Sequence, residues 1–314
     1  MEGLRYRGGR MISEGYLRRH MHTYNVDREV AILDVAQEYI LEFLRQKGFF
    51  DGGLVFKGGT ALRKFVFGAD GRFSTDLDFG LVDDDPGYID LVFDELDGAE
   101  FLGVKVELDK RDTAAARLRI DTTIGGSDEP AAVSVRAQVP WLPPVIMKPQ
   151  SFPFLDSGLN GEFERPSLPI LDPREIVAEK IAAFWRRRKA RDLYDLEHLG
   201  KVLQSSFDGP PIAALAALKI YFDVVDEGLG RPPTEIEQVF QCAIKEVEGV
   251  NDLGHFGAKS ADPTGLLTSC TQRYGALCRI EDELKRMVST CSPRDRYQAL
   301  KLKETLIEGL ASST

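Results

Sequence analysis

A mixed α/β domain followed by a helical one is the fold class that this 314-residue sequence predicts. Three observations carry it. Short β-type runs alternate with helical periods through the first 139 residues, eight of the sixteen prolines crowd into residues 140–173, and helical periods follow beyond them. The expected boundaries are a domain over 1–145, a Pro-rich connecting segment over 146–172 and a helical domain over 173–314.

The elements follow in chain order. "VDREVAILDVAQEYILEFLRQKGFF" opens on Asp27 as a capping residue, repeats apolar residues as Ile32, Ala36, Ile40 and Phe43, and reaches Gly48 as a stop, which predicts an amphipathic helix. "GLVFKGG" reads as a short strand running into glycines. "TALRKFVFG" reads as a helix with Thr60 at its N-cap and Gly68 at its end. "TDLDFGLV" predicts a strand with alternating faces, and Pro86 opens the helix "PGYIDLVFDEL". Three further β-rich runs are "FLGVKVELD", "AARLRIDTTI" and "AAVSVRAQV". After the prolines, Asp172, Pro173 and Glu175 form a complete helix-start signal for "DPREIVAEKIAAFWRRR". Later helical stretches are "PIAALAALKIYFDVVDEG", "PTEIEQVFQCAIKEVEGV", "TQRYGALCRIEDELKRMV" and "RDRYQALKLKETLIEGL".

Composition narrows the class of function. With 43% hydrophobic residues the chain can fill one large core or two ordinary ones. There is no membrane-length apolar run and no secretory h-region near the start, so the expectation is a cytoplasmic protein without a membrane partner. Cys242, Cys270, Cys278 and Cys291 show neither CxxC spacing nor paired histidines at zinc-site intervals, which argues against a disulfide framework or a zinc site. A net charge of −10 opposes wholesale coating by nucleic acid but permits a local basic patch. Arg186, Arg187, Arg188, Lys189 and Arg191 form the densest such run, with Arg117, Arg119, Arg136 and Lys148 as additions.

Two motifs carry chemistry. In "KGGT", glycines at a helix start let backbone N–H groups approach an anion, although a tight turn alone would need the same residues. Neither a P-loop nor a GxGxxG pattern is present. In "RFSTDLDFG", Asp76 and Asp78 leave the same face of a strand, and two adjacent carboxylates need a cation; hard oxygen donors of this kind suit Mg²⁺ shared with substrate phosphates. One element can hold a triphosphate and the other its metal.

Together, "VFKGGTAL" and "RFSTDLDF" resemble the nucleotidyltransferase superfamily, specifically the AbiEii/AbiGii-type toxins that include the MenT proteins. "DPREIVAEKIAAFWRRRKARDLYDLEHL" is similar to that family's later blocks, a helical lysine and an Arg-Asp-x-x-Asp segment, and the motifs span roughly residues 13–200. The resemblance implies an α+β fold, with a DNA polymerase β-like mixed-sheet nucleotidyltransferase domain before the helical one. It implies that Gly58, Gly59 and Thr60 hold the nucleotide phosphates with Lys57, Arg63 and Ser74 in support, that Asp76 and Asp78 bind Mg²⁺, that Lys180 contacts the triphosphate and that Asp192 completes the site. Helix geometry independently puts Lys180 between Ile176 and Phe184 within the apolar arc. The superfamily's third carboxylate has Asp121 and Glu107 as candidates, while Arg136 stands where an acid is expected.

The implied activity is transfer from an NTP, with a pyrimidine nucleotide among the candidate donors, to the 3′ end of tRNA, blocking aminoacylation and translation. A cognate antitoxin would hold such a toxin in check. The stretch Arg186–Arg191 is where the acceptor-stem phosphates are expected. Two alternatives stay open: a nucleotidyltransferase acting on a protein or small molecule, and an inactive module that binds a partner.

Overall fold

A computed structural model describes residues 14–82, 85–101, 104–112, 115–124, 127–128, 131–137, 148–153, 155, 167–203, 212, 215–217, 219–220, 237–251, 253, 257 and 262–275. The chain divides into two compact units, one of Met1–Val139, Ser151–Pro169 and His255–Gly257, the other of Pro140–Gln150, Ile170–Gly254 and Ala258–Thr314.

The first unit opens with helices α1 (Glu14–Tyr24) and α2 (Arg28–Gln46). Strand β1 (Leu54–Lys57) runs into α3 (Gly58–Ala61), which widens into a π-helical turn over Leu62–Phe67. Strand β2 (Asp76–Leu81), helix α4 (Pro86–Leu96) and strands β3 (Glu100–Phe101), β4 (Val104–Asp112), β5 (Ala115–Ile124), β6 (Ser127–Asp128) and β7 (Ala131–Ala137) follow. The sheet order is β3-β4-β5-β7-β2-β1-β9-β8, where β8 is Gln150–Pro153 and β9 is Ser167–Ile170, with β6 paired to β5. The sheet is mixed: β2 lies parallel to β7 and antiparallel to β1.

Alternation along the strands explains the layering. Val104 and Val106, Ala116, Leu118 and Ile120, and Val133 and Val135 are buried on one face, against which α2 and α4 pack. Phe56 and Phe79 sit opposite each other in the β1–β2 register with ring centroids 5.4 Å apart. The intervening residues, Lys105, Arg117, Arg119, Ala132 and Arg136, are exposed on the other face.

Three local expectations need correction. Thr60 does not cap α3: the N-cap is Lys57, and the Thr60 hydroxyl instead donates to the Asp76 carbonyl at 2.6 Å. The Pro-rich segment expected as a connector supplies β8 and β9, whose four residues each tolerate Pro153 at an edge-strand end and Pro169 inside a short ladder. The helix α2 is buried nearly all round, since Asp34, Gln37, Glu38 and Glu42 are buried along with its apolar residues.

The polar residues of α2 explain that burial. Asp34 lies 2.9 Å from Lys64 Nζ, 3.2 Å from His20 Nε2 and 3.7 Å from Arg63 Nε. Lys64 also reaches Glu38 at 2.6 Å and the Asp34 carbonyl at 3.2 Å. Arg63 lies 3.7 Å from the Phe73 ring centroid and 4.9 Å from that of Tyr24. Burial alone would raise the Asp34 carboxyl, but Lys64, then Arg63 and His20, hold it well below the usual carboxylate range. Burial likewise opposes charge on Lys64, and Asp34 and Glu38 overcome it to raise the amine.

The second unit is helical in its described residues: α5 (Pro173–Arg187), α6 (Ala190–Leu203), and helices Glu237–Phe240 and Pro263–Gly275. The cap of α5 is as expected, with Pro173 at N1 and the Asp172 carboxylate accepting from Arg174 N–H at 2.8 Å. "PTEIEQVFQCAIKEVEGV" is not one helix among its described residues: a short helix ends at Phe240 and a 3₁₀ turn spans Ile244–Glu246. Glu248 accounts for the break, because it forms a bridge with Lys189 in which Ala190 N–H donates to the Glu248 carbonyl and Glu248 N–H to the Arg188 carbonyl, both at 2.8 Å. The helix expected at residues 271–288 starts earlier, at Pro263, and its part beyond Gly275, like "RDRYQALKLKETLIEGL" and most of "PIAALAALKIYFDVVDEG", lies outside the described residues.

The Asp34 network gives acid sensitivity with a defined sign. A depressed carboxyl contributes stability that is complete above its unfolded value, near pH 4, and that is lost at about 1.4 kcal/mol per pH unit as pH falls below it. The variant Asp34→Asn is expected to be less stable than wild type by about 3–5 kcal/mol at pH 7. In urea titrations at pH 7, 4 and 3, that gap should narrow only below about pH 4.

Candidate active site

The glycine turn and the aspartate strand meet in the first unit. Gly58 has φ +80° and lies so close to β2 that a Cβ added to it would fall 2.3 Å from Asp78 Oδ2 and 2.9 Å from Asp78 Cβ. Only glycine satisfies both the backbone angle and the approach. Gly59 is crowded in turn, with a virtual Cβ 2.9 Å from the Arg72 guanidinium and 3.0 Å from Ser74 Oγ. The Ser74 carbonyl accepts from Gln37 Nε2 at 2.9 Å, which ties the segment before β2 to α2.

Asp76 and Asp78 share the open sheet face and are each partly exposed. Lys57 is paired with Asp78 in the β1–β2 register, so its buried side chain leaves the same face. On the other side Ser134 is paired with Asp76 and Arg136 with Asp78, and Arg136 Nη1 lies 3.4 Å from Asp76 Oδ2. The Thr75 hydroxyl is 3.4 Å from Asp76 Oδ1.

Other expected residues fall elsewhere. Arg63 is 1% exposed, and its guanidinium is held by Phe73, Tyr24 and the Gly68 carbonyl, so it braces the helix from the core side. Glu107 and Asp121 lie on β4 and β5, separated from β2 by at least one strand, and pair with Lys105 at 2.5 Å and Arg119 at 3.0 Å. No group of three His, Cys, Asp or Glu side chains able to hold a metal is found among the described residues. The donor set fits a hard cation that keeps several waters and substrate oxygens: two carboxylates on one strand face, beside a helix start that can take an anion.

In the second unit Lys180 is 7% exposed, inside the apolar arc as its helical position requires. Its Nζ lies 2.7 Å from Asp195 and 3.5 Å from Asp192. Asp192 is fully buried and accepts a two-pronged pair of bonds from Arg187, at 2.8 and 2.7 Å. The buried Lys180, Asp192 and Asp195 and the partly exposed Arg187 thus form a charge-balanced cluster joining α5 to α6. Asp192 and Asp195, spaced i, i+3 on α6, both meet Lys180 of α5, and that spacing is the sequence signal for the pair.

The basic run is largely engaged within its own unit. Arg187 binds Asp192, Lys189 pairs with Glu248, and Arg188, in the left-handed region at φ +48°, donates to the Val239 carbonyl and lies over Phe184 and Trp185. Arg191 is partly buried, and Arg186 is exposed.

A mixed sheet with paired aspartates on the strand beside a glycine-started helix, followed by a helical unit, defines a nucleotidyltransferase fold. The family described as Nucleotidyl transferase AbiEii toxin, Type IV TA system, matches residues 42–252. The chain belongs to this family of nucleotidyltransferase toxins of toxin–antitoxin systems. Its structure is similar to that of MenT4, a nucleotidyltransferase toxin from Mycobacterium tuberculosis H37Rv, with 29% identity, a TM-score of 0.80 and coverage of 94% of this chain and 99% of that one. Two Helicobacter pylori structures also match, JHP933 at 16% identity and TM-score 0.43, covering 92% of this chain and 100% of that one, and a nucleotidyltransferase at 17% and 0.44, covering 86% and 97%. Among curated proteins no match was found. No helix among the described residues is long and apolar enough to cross a membrane.

Two substitutions separate the forces at work. Gly48 has the same φ of +80° as Gly58, with nothing within 4 Å of a virtual Cβ. Gly48→Ala should cost about 1–2 kcal/mol from the backbone alone. Gly58→Ala should cost clearly more, and the excess in urea midpoint reports the clash with Asp78. In the second unit, Asp195→Ala strands buried cationic charge and should cost about 3–5 kcal/mol, whereas Lys180→Met with Asp195→Leu should recover most of that loss.

Proposed function

We propose that this toxin is a Mg²⁺-dependent enzyme that transfers nucleotides from an NTP to the 3′ end of tRNA and so blocks aminoacylation and translation. The observation that carries the catalytic reading is the seating of Gly58 directly on Asp78, which puts a helix start able to bind phosphate against a pair of metal-grade carboxylates. Membership of the toxin family supports a nucleotide as substrate and an antitoxin as partner.

Within the first unit the roles follow from chemistry. The backbone N–H groups of Gly58, Gly59 and Thr60 open a helix and favour a phosphate there, with Lys57 supplying positive charge on the same face as Asp78. Asp76 and Asp78 would hold Mg²⁺, which when bound neutralises negative charge building on the phosphates. The Thr60 hydroxyl fixes the helix start relative to β2 by donating to the Asp76 carbonyl. Ser74, against Gly59, lines the same turn. On this reading a carboxylate, Asp78 or Asp192, accepts the proton of the attacking hydroxyl. A catalytic role for Lys180 and Asp192 rests on the family resemblance, and Lys180→Ala and Asp192→Ala test it by activity measured beside stability.

The deciding experiment incubates purified protein with Mg²⁺, total tRNA and each α-labelled NTP in turn. Label on RNA from one donor, a pyrimidine NTP on this reading, is the expected result, and Asp76→Ala should abolish it. If NTP binds but RNA stays unlabelled with every donor, the acceptor is a protein or small molecule.

A further inference from the structure

The strand registers align a row of basic side chains with the candidate active site. Asp76 is paired with Ser134, Ser134 with Arg117, and Arg117 with Lys110, so these four residues cross four neighbouring strands on one face. One step to one side of this row Asp78 is paired with Arg136 and Arg136 with Ala115, and one step to the other side Arg119 is paired with Ala132. With strands about 4.8 Å apart, Arg117 stands roughly 10 Å and Lys110 roughly 14 Å from the Asp76 position.

These cations are solvent-facing. The side chains of Arg117, Arg119 and Arg136 are 60%, 56% and 51% exposed. Acidic neighbours accompany them: Arg117 lies 3.7 Å from Asp109, Arg119 is 3.0 Å from Asp121, and Glu107 pairs with Lys105. Exposed pairs of this kind contribute little and exchange readily for a phosphate, which the planar guanidinium binds in two-pronged fashion. Between them lie the small side chains Ala115, Ala132 and Ser134, with Glu107 opposite Arg119 and Asp112 opposite Ala115 in the register. No aromatic platform for bases and no large apolar anchor for a protein lies among these residues, so the complementary ligand is a sugar–phosphate backbone.

We propose that the open face of β7, β5 and β4 is the track along which the single-stranded 3′ segment of the RNA acceptor lies, with Arg136, Arg117, Arg119 and Lys110 on successive phosphates behind the reacting end. The inference rests on the reading of RNA as acceptor, and it relocates the main phosphate contacts from the run Arg186–Arg191, where Arg187 is held by the fully buried Asp192 and Arg188 by the Val239 carbonyl. Since the track touches backbone and not base edges, it supplies affinity without sequence preference.

The test uses the full chain and a fluorescent short single-stranded RNA, with dissociation constants measured over a range of salt concentrations. For Lys110→Gln/Arg117→Gln/Arg119→Gln, the salt slope of log K should flatten by about 2, at roughly 0.7 per lost contact, and affinity at low salt should fall about tenfold or more. NTP affinity and Tm should match wild type. Should the triple variant lose its unfolding transition, Arg117→Gln alone should flatten the slope by about 0.7. If wild type binds and labels RNA while the variants keep its slope and affinity, the track is wrong and the RNA reading survives. If wild type neither binds RNA nor labels it, both readings fall.

Discussion

A missing side chain sets the geometry of the first unit. Asp78 occupies the space that any Cβ at Gly58 would need, so β2 can come against the start of α3 only if residue 58 is glycine. The positive φ there turns the chain from strand to helix within one residue and leaves the first N–H groups of the helix without intrahelical partners, beside a pair of carboxylates. Phosphate-binding and metal-binding chemistry become neighbours through backbone sterics before any ligand arrives.

Such a contact has to be held from behind. The helix that begins at Gly58 widens into a π turn, and at that turn Arg63 and Lys64 enter the buried cluster of Asp34, Glu38 and His20. A π turn rotates successive side chains less than an α turn, and here two consecutive cations both reach acids of α2. Breaking one member leaves buried charge uncompensated, so the helix start is fixed by electrostatics in a dry environment as well as by packing.

How much of this was legible in the sequence follows from the range of each interaction. Local signals read correctly: the glycine pair, the same-face aspartates, the Asp172–Pro173–Glu175 helix start and the three later strands are patterns over a few residues. The polar stripe of α2 looked like a wet face, because its partners Arg63 and Lys64 lie about thirty residues away and periodicity carries no information about them. Thr60 resembled a cap for the same reason, its true acceptor being the Asp76 carbonyl on another element. The prolines of β8 and β9 masked short strands that only a sheet edge reveals. The basic run Arg186–Arg191 was conspicuous as composition, yet composition cannot show that Asp192, Glu248 and the Val239 carbonyl receive three of its members.

That last point bears on how an acidic protein engages a polyanion. Clustering along the chain puts like charges on one helix end, where they must be neutralised by nearby acids and carbonyls for the helix pair to fold. Alternation along strands does the opposite: Arg117, Arg119 and Arg136 are dispersed in sequence, pointed to solvent by the period of two, and gathered only by strand pairing. Each guanidinium there has an exposed or partly exposed acid beside it, Arg117 with Asp109, Arg119 with Asp121 and Arg136 with Asp76, so on a chain of net charge −10 these cations meet a polyanion only by exchanging one acidic partner for another. In this fold the pairing that buries Leu118 and Val133 on one side is the same pairing that assembles the cationic row on the other, so packing of the core sets the geometry of the surface.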